Sequence, residues 1–112
     1  MNLKIVPTPE FAKQTKRLAK SYKKIYVDIE NLKEVLLNDP RSGIDLGSNC
    51  YKIRVANSSI PTGKSGGFRV ITYYIDNKGI IRLLLIYSKR EQDNISDREL
   101  KEIIRKNTDR RE

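Results

Sequence analysis

Residues 68–87 read FRVITYYIDNKGIIRLLLIY. Phe68 to Ile75 is rich in β-branched and aromatic side chains and predicts a strand. Asp76-Asn77-Lys78-Gly79 is a turn signal, and Ile80 to Tyr87 predicts a second strand. That second strand is apolar at nearly every position, which predicts a place inside the sheet with both faces covered. Upstream, Tyr51-Lys52-Ile53-Arg54-Val55 alternates apolar and basic, so Tyr51, Ile53 and Val55 point one way while Lys52 and Arg54 point the other. Three strands of this kind predict an antiparallel sheet whose two faces differ sharply in polarity.

The flanks predict helices. Leu3-Lys4-Ile5-Val6 reads as a short first strand. Thr8-Pro9 reads as a helix start, with Thr8 as N-cap and Pro9 at the first helical position, where its missing N–H costs nothing. Phe11, Leu18, Ala19 and Tyr22 share one face of that helix. Ile25, Ile29, Leu32 and Leu36 form the stripe of a second helix, and Asn38-Asp39-Pro40 ends it, because a residue before proline avoids the α region. Two antiparallel helices joined by a short basic turn result. At the far end, Ser96-Asp97-Arg98-Glu99 has capping-box spacing, with Ile95 and Leu100 placed for a hydrophobic staple. Leu100, Ile103 and Ile104 form the apolar face of this last helix, and residues 107–112 read as a frayed tail. The expectation is one α+β domain over residues 1–112: an N-terminal strand and helical hairpin packed on an antiparallel sheet, with a C-terminal helix.

Composition excludes several kinds of chemistry. Among 112 residues there is no histidine, so no Ser-His or Cys-His nucleophile pair exists and zinc lacks its usual imidazole ligand. Cys50 is the one cysteine, which rules out an intramolecular disulfide or a thiolate metal cluster. The longest apolar run, residues 83–87, falls far short of the ~20 residues that span a bilayer. No apolar signal segment stands at the N-terminus, so a cytoplasmic location with no membrane association is expected.

Charge points to a class of partner. Lys and Arg number 23 against 14 Asp and Glu, a net +9. Residues 41–90 hold nine basic side chains against only Asp45 and Asp76, so +7 of the +9 lies there. Such a concentration suits a polyanion, with a merely solubilising surface as the bland alternative. Lys52 and Arg54 share a strand face, Arg69 lies on the next strand, and Lys89 and Arg90 follow the long apolar strand. If those strands pair, five cations converge on one side of the sheet. Arginine forks bind phosphate oxygens bidentately, and a lysine crowded by like charges has a lowered pKa that suits proton transfer. A basic sheet face that binds nucleic acid without chemistry is the equal alternative on pattern alone. Tyr73, Tyr74 and Tyr87 stand near these cations, where rings can stack on bases; for any one of them a half-buried strand tyrosine is the simpler reading. Gly63-Lys64-Ser65 is no phosphate loop: the required glycine five residues earlier is Ser58, and a strand follows where a helix is needed. Gly63, Gly66 and Gly67 instead surround Lys64 and Ser65, where they allow close backbone approach to a ligand or positive φ; a flexible hairpin loop is the simpler reading of the local sequence.

The Lys52-Ile53-Arg54 strand, the block Gly63-Lys64-Ser65-Gly66-Gly67-Phe68-Arg69, and Leu84-Leu85-Ile86-Tyr87-Ser88-Lys89-Arg90-Glu91 together resemble the RelE/HigB toxins of bacterial type II toxin–antitoxin modules, and the HigB-like branch in particular. The resemblance runs from about residue 2 to about 106. It implies a RelE/ParE-like α+β fold and a ribosome-dependent endoribonuclease that cuts mRNA in the decoding site. The implied reaction uses no metal and no cofactor: the ribose 2′-OH attacks the adjacent phosphate, leaving a 2′,3′-cyclic phosphate and a 5′-OH. Carried over by position, Arg69 is the phosphate clamp, Lys52 the base with Arg54 in support, and Arg90 the leaving-side partner with Lys89 close behind. Lys64 is implied as an RNA-backbone contact, with Ser65 and Tyr87 beside it on the RNA-binding surface. Some members carry a tyrosine or histidine near the start of the last helix; here Gln92-Asp93-Asn94-Ile95-Ser96 has neither. The implied partners are the ribosome, mRNA and a cognate antitoxin of helix-turn-helix type, with operator DNA reached through the toxin–antitoxin complex. Two further readings share the scaffold or the charge: a ParE-like inhibitor of DNA gyrase, for which the basic set is expendable, and a non-catalytic nucleic-acid-binding or regulatory module.

Overall fold

The computed structural model describes residues 2–61, 66–91 and 95–108. Five strands form one mixed sheet in the order β1-β5-β4-β3-β2: β1 (Lys4–Pro7), β2 (Ile44–Gly47), β3 (Cys50–Val55), β4 (Phe68–Ile75) and β5 (Ile80–Ser88). β3, β4 and β5 pair antiparallel, as the sequence predicts, and β2 adds a further antiparallel strand beside β3. β1 joins the outer side of β5 in parallel, so the apolar β5 is an inner strand. The short β2 carries no clear alternation and was not expected from the sequence; it folds back on β3 through Ser48 and Asn49, both at positive φ.

Two helices, α1 (Pro9–Leu18) and α2 (Ile25–Asn38), cover one face of the sheet. The Thr8 hydroxyl accepts the Phe11 N–H at 3.2 Å, with Pro9 at the start of the helix, as the Thr-Pro pair predicts. Phe11 and Leu18 of α1 and Ile25, Ile29, Leu32 and Leu36 of α2 pack on Val55, Phe68, Val70, Ile81, Leu83 and Ile86. This is the larger core. Burying each such side chain contributes roughly 1.5–3 kcal/mol against the entropy of ordering the chain.

The third helix, α3 (Asp97–Thr108), lies on the opposite face. Its Leu100, Ile103 and Ile104 pack on Cys50, Ile71 and Leu84 with Leu46, Tyr73 and Leu85 around them. Ser96 caps it, accepting the Glu99 N–H at 3.1 Å. The helix outlasts the expected fraying point: the side chains of Asn107 and Thr108 donate back to the Ile103 and Ile104 carbonyls at 2.8 and 2.6 Å. Among the described residues, no helix is long and apolar enough to cross a membrane.

Candidate nucleic-acid interface

The sheet face that carries α3 is covered only in part. The helix sits over the Cys50 and Ile71 end, and the other end of the same face carries cations. Arg54 of β3 stands directly opposite Arg69 of β4, and Arg69 stands directly opposite Tyr87 of β5. Cross-strand partners share a face, with Cβ atoms about 5 Å apart. Two guanidinium groups and a phenol therefore form one row across three strands.

A bulge in β5 makes that row. Thr72 pairs with Leu83 but Ile71 pairs with Leu85, leaving Leu84 as an extra residue. Leu84 and Leu85 consequently both join the cluster beneath α3, which explains a strand apolar at consecutive positions. Counting back from the Ile75–Ile80 pair without the bulge would place Ile86 opposite Arg69; with it, Tyr87 takes that place. Thr8 secures the bulge from the β1 side, donating its hydroxyl to the Leu83 carbonyl at 2.9 Å and its N–H to the same oxygen at 3.0 Å. Bulges commonly re-aim side chains beside functional sites.

Arg69 is 7% exposed, unusually buried for a cation. Its Nη1 donates to the neighbouring Phe68 carbonyl at 3.2 Å. Burial, then the like charge of Arg54, lowers its pKa, and Tyr87 partly offsets this. Burial pushes the Tyr87 phenol up, against a hydrogen bond from the Ile95 backbone and the charge of Arg69. Gathering two guanidinium groups at the cost of lowering one of their pKa values is what an anion site requires before the anion arrives.

Two lysines flank the row. Lys52 precedes Arg54 by two residues on the same face of β3 and is half-buried. Lys89 follows Tyr87 by two residues, and its N–H donates to the Gly67 carbonyl at 2.9 Å, carrying the ladder one residue beyond β5. At about 3.3 Å per residue the two lie at diagonal corners of the row. Arg90 leaves the sheet in the next turn and is exposed, its N–H held by the Ser88 hydroxyl at 3.2 Å. Lys89 rather than Arg90 therefore continues the ladder. Gly67 closes the strands' approach: a Cβ there would meet the Val55 carbonyl oxygen, so this glycine serves a contact between backbone segments. Lys64 and Ser65 lie outside the described residues, as do Gly63 and residues 92–94.

The other tyrosines take the simpler role. Tyr73 packs in the cluster under α3, and Tyr74 lies on the helical-hairpin side with the Arg41 guanidinium 4.8 Å above its ring. Sequence reasoning missed the groups behind the site, Tyr22, Ser88, Arg17 and Glu91. Only Tyr22 gave a signal, as one member of the first helix's apolar face. Among the described residues, no group of three His, Cys, Asp or Glu side chains is placed to hold a metal ion.

The fold is a small α+β domain with a buried arginine in a cationic row on one sheet face. Its family follows from comparison. Residues 4–110 match the family model described as the RelE toxin of the RelE/RelB toxin–antitoxin system, and the chain belongs to that family. It is a toxin of a type II toxin–antitoxin module. The fold is similar to the isolated RelE toxin of E. coli (TM-score 0.59, 16% identity, 93% of this chain and 98% of that one). It is also similar to a double arginine-to-alanine mutant of E. coli RelE in the free state (TM-score 0.58, 17% identity, 83% and 90%). A third likeness is to the intact E. coli RelBE toxin–antitoxin complex (TM-score 0.57, 18% identity, 76% and 94%).

Proposed function

We propose that this toxin is a ribosome-dependent endoribonuclease that cuts mRNA in the cytoplasm and is held inactive by a cognate antitoxin. The observation that carries the reading is the Arg54–Arg69–Tyr87 row with Arg69 buried at its centre. The scissile phosphate sits over Arg69. Attack by the 2′-oxygen on phosphorus forms one P–O bond as the bond to the 5′-oxygen breaks, and excess negative charge develops on the non-bridging oxygens. Arg69 and the exposed Arg54 beside it stabilise that charge, and the buried Arg69 acts more strongly than a donor in water. The attacking and leaving oxygens lie in line on opposite sides of phosphorus, so the base and the acid must stand on opposite sides too. The diagonal Lys52 and Lys89 meet that condition: Lys52 takes the 2′-OH proton and Lys89 gives a proton to the departing 5′-oxygen. Tyr87, as a neutral phenol, donates a hydrogen bond to the phosphate. Arg90, Lys64 and Ser65 contact the RNA backbone. An antitoxin partner is supported by the family's toxin–antitoxin pairing.

Expression of the toxin without a partner, followed by mapping of mRNA 5′ ends, tests this. New 5′-OH ends within translated frames are expected, and Arg69→Ala should reduce cleavage by ~100-fold or more, the scale of one lost transition-state donor. Growth arrest with intact mRNA and a DNA-damage response would overturn the reading in favour of a gyrase inhibitor. RNA binding without cleavage on translating ribosomes would leave a non-catalytic module.

A further inference from the structure

The turn carrying Lys89 and Arg90 is held from the wrong side of the sheet to be held by substrate. Tyr22, in the connection between α1 and α2, meets Phe68 edge-on, with ring centroids 5.5 Å apart at 83°. Its hydroxyl lies 3.3 Å from the Ser88 hydroxyl. Ser88 is 1% exposed and directly opposite Phe68 in the β4–β5 ladder. Tyr22 therefore touches both members of the pair that adjoins Arg69 and Tyr87 on one side and Gly67 and Lys89 on the other. Ser88 passes the link on: its Oγ accepts the Arg90 N–H at 3.2 Å and its carbonyl accepts the Glu91 N–H at 3.1 Å. Accepting that N–H leaves Ser88 Oγ with one proton and one lone pair, either of which serves Tyr22. A second tie closes the turn, where Arg17 Nη1 pairs with Glu91 at 3.2 Å and its Nε donates to Gln14 at 3.0 Å. That ion pair is exposed and contributes little by itself.

We infer that Tyr22, acting through Ser88, is a positioning residue that sets the direction in which Lys89 and Arg90 leave the sheet. The inference rests on the RNA-cleavage reading for its effect on rate. Tyr22 and Ser88 lie on the helical-hairpin face and touch no phosphate bound over Arg69. Lys and Arg side chains have large rotamer freedom, so a backbone free to rock at residue 89 moves the ammonium group by more than proton transfer tolerates.

Tyr22→Phe keeps the ring against Phe68 and removes only the hydroxyl; Ser88→Ala removes the other half of the link. On translating ribosomes each variant should lower kcat by about 3–10-fold, the range one neutral hydrogen bond supports, with KM unchanged. The double variant should be no worse than the poorer single, because both break one link. Amide exchange at Arg90 in the full-length protein should speed up in Tyr22→Phe, while the melting temperature stays within ~2 °C of the parent. Wild-type kcat in Tyr22→Phe, where Arg90→Ala and Lys89→Ala are impaired, would overturn the inference. So would unchanged Arg90 exchange. A parent protein with no cleavage at all would overturn the nuclease reading alone, and the exchange experiment would still decide whether Tyr22 orders the turn.

Discussion

Cys50 is fully buried beneath α3, and burial, with the Asp45 carboxylate as a smaller contribution, pushes its thiol from 9.0 up to about 12. A thiol in that state is neither nucleophile nor ligand. At pH 8 a soluble alkylating reagent should leave the folded protein unmodified for hours and label it fully in guanidinium, read by mass. The same shift predicts how stability varies with pH. An unfolded chain ionises the thiol near its ordinary value while the folded chain holds the proton, so the thiol's contribution is complete below pH 9 and is lost as pH rises towards 12. Tyr87, also raised, acts in the same direction. Denaturant midpoints should fall from pH 9 upward, and Cys50→Ala should make that fall shallower.

The elements differ in how firmly they are held. β4 and β5 carry core side chains on both faces, and α2 buries four residues of its apolar stripe. α3 has no fully buried residue; its apolar face is half-exposed, and its start depends on one serine hydroxyl. An element held by so little opens locally before the sheet does. Ser96→Ala should cost about 1 kcal/mol, confined to this helix. Hydrogen exchange should show amides 97–108 speeding up roughly fivefold while β4 and β5 amides keep their protection. Uniform loss across the sheet would mean that α3 and the sheet unfold as one unit.

At the scale of the whole molecule, the sheet divides its labour between its faces. The helical hairpin packs on one face, Thr8 at its start anchors the bulge, and Tyr22 in its connection supports the turn. The other face is shared between α3 and the cationic row. Two guanidinium groups side by side raise the free energy of the empty protein, and a bound anion recovers it. Inorganic phosphate added at constant ionic strength should therefore stabilise the protein, by about 1.4 kcal/mol at ten times its Kd. That corresponds to a rise in Tm of roughly 5 °C. Arg69→Met should abolish the rise; a variant that keeps it would place the anion elsewhere.

Local order was legible in the amino-acid chain because it obeys short-range rules. Thr8-Pro9 and Ser96 start helices through hydrogen bonds spanning three residues, Asn38-Asp39-Pro40 stops one by steric clash, and the alternation over Tyr51–Val55 separates the basic from the apolar face. The cationic residues themselves were legible for the same reason. What only the tertiary structure decided was which residues meet. β1 pairs in parallel with a strand more than seventy residues away, a choice that no local pattern encodes. The partner of Arg69 hangs on one extra residue in β5, because side chains alternate with period two and a single bulge exchanges Ile86 for Tyr87. That bulge is secured by a threonine hydroxyl seventy-five positions away, so the site's register belongs to the packed molecule and not to either strand.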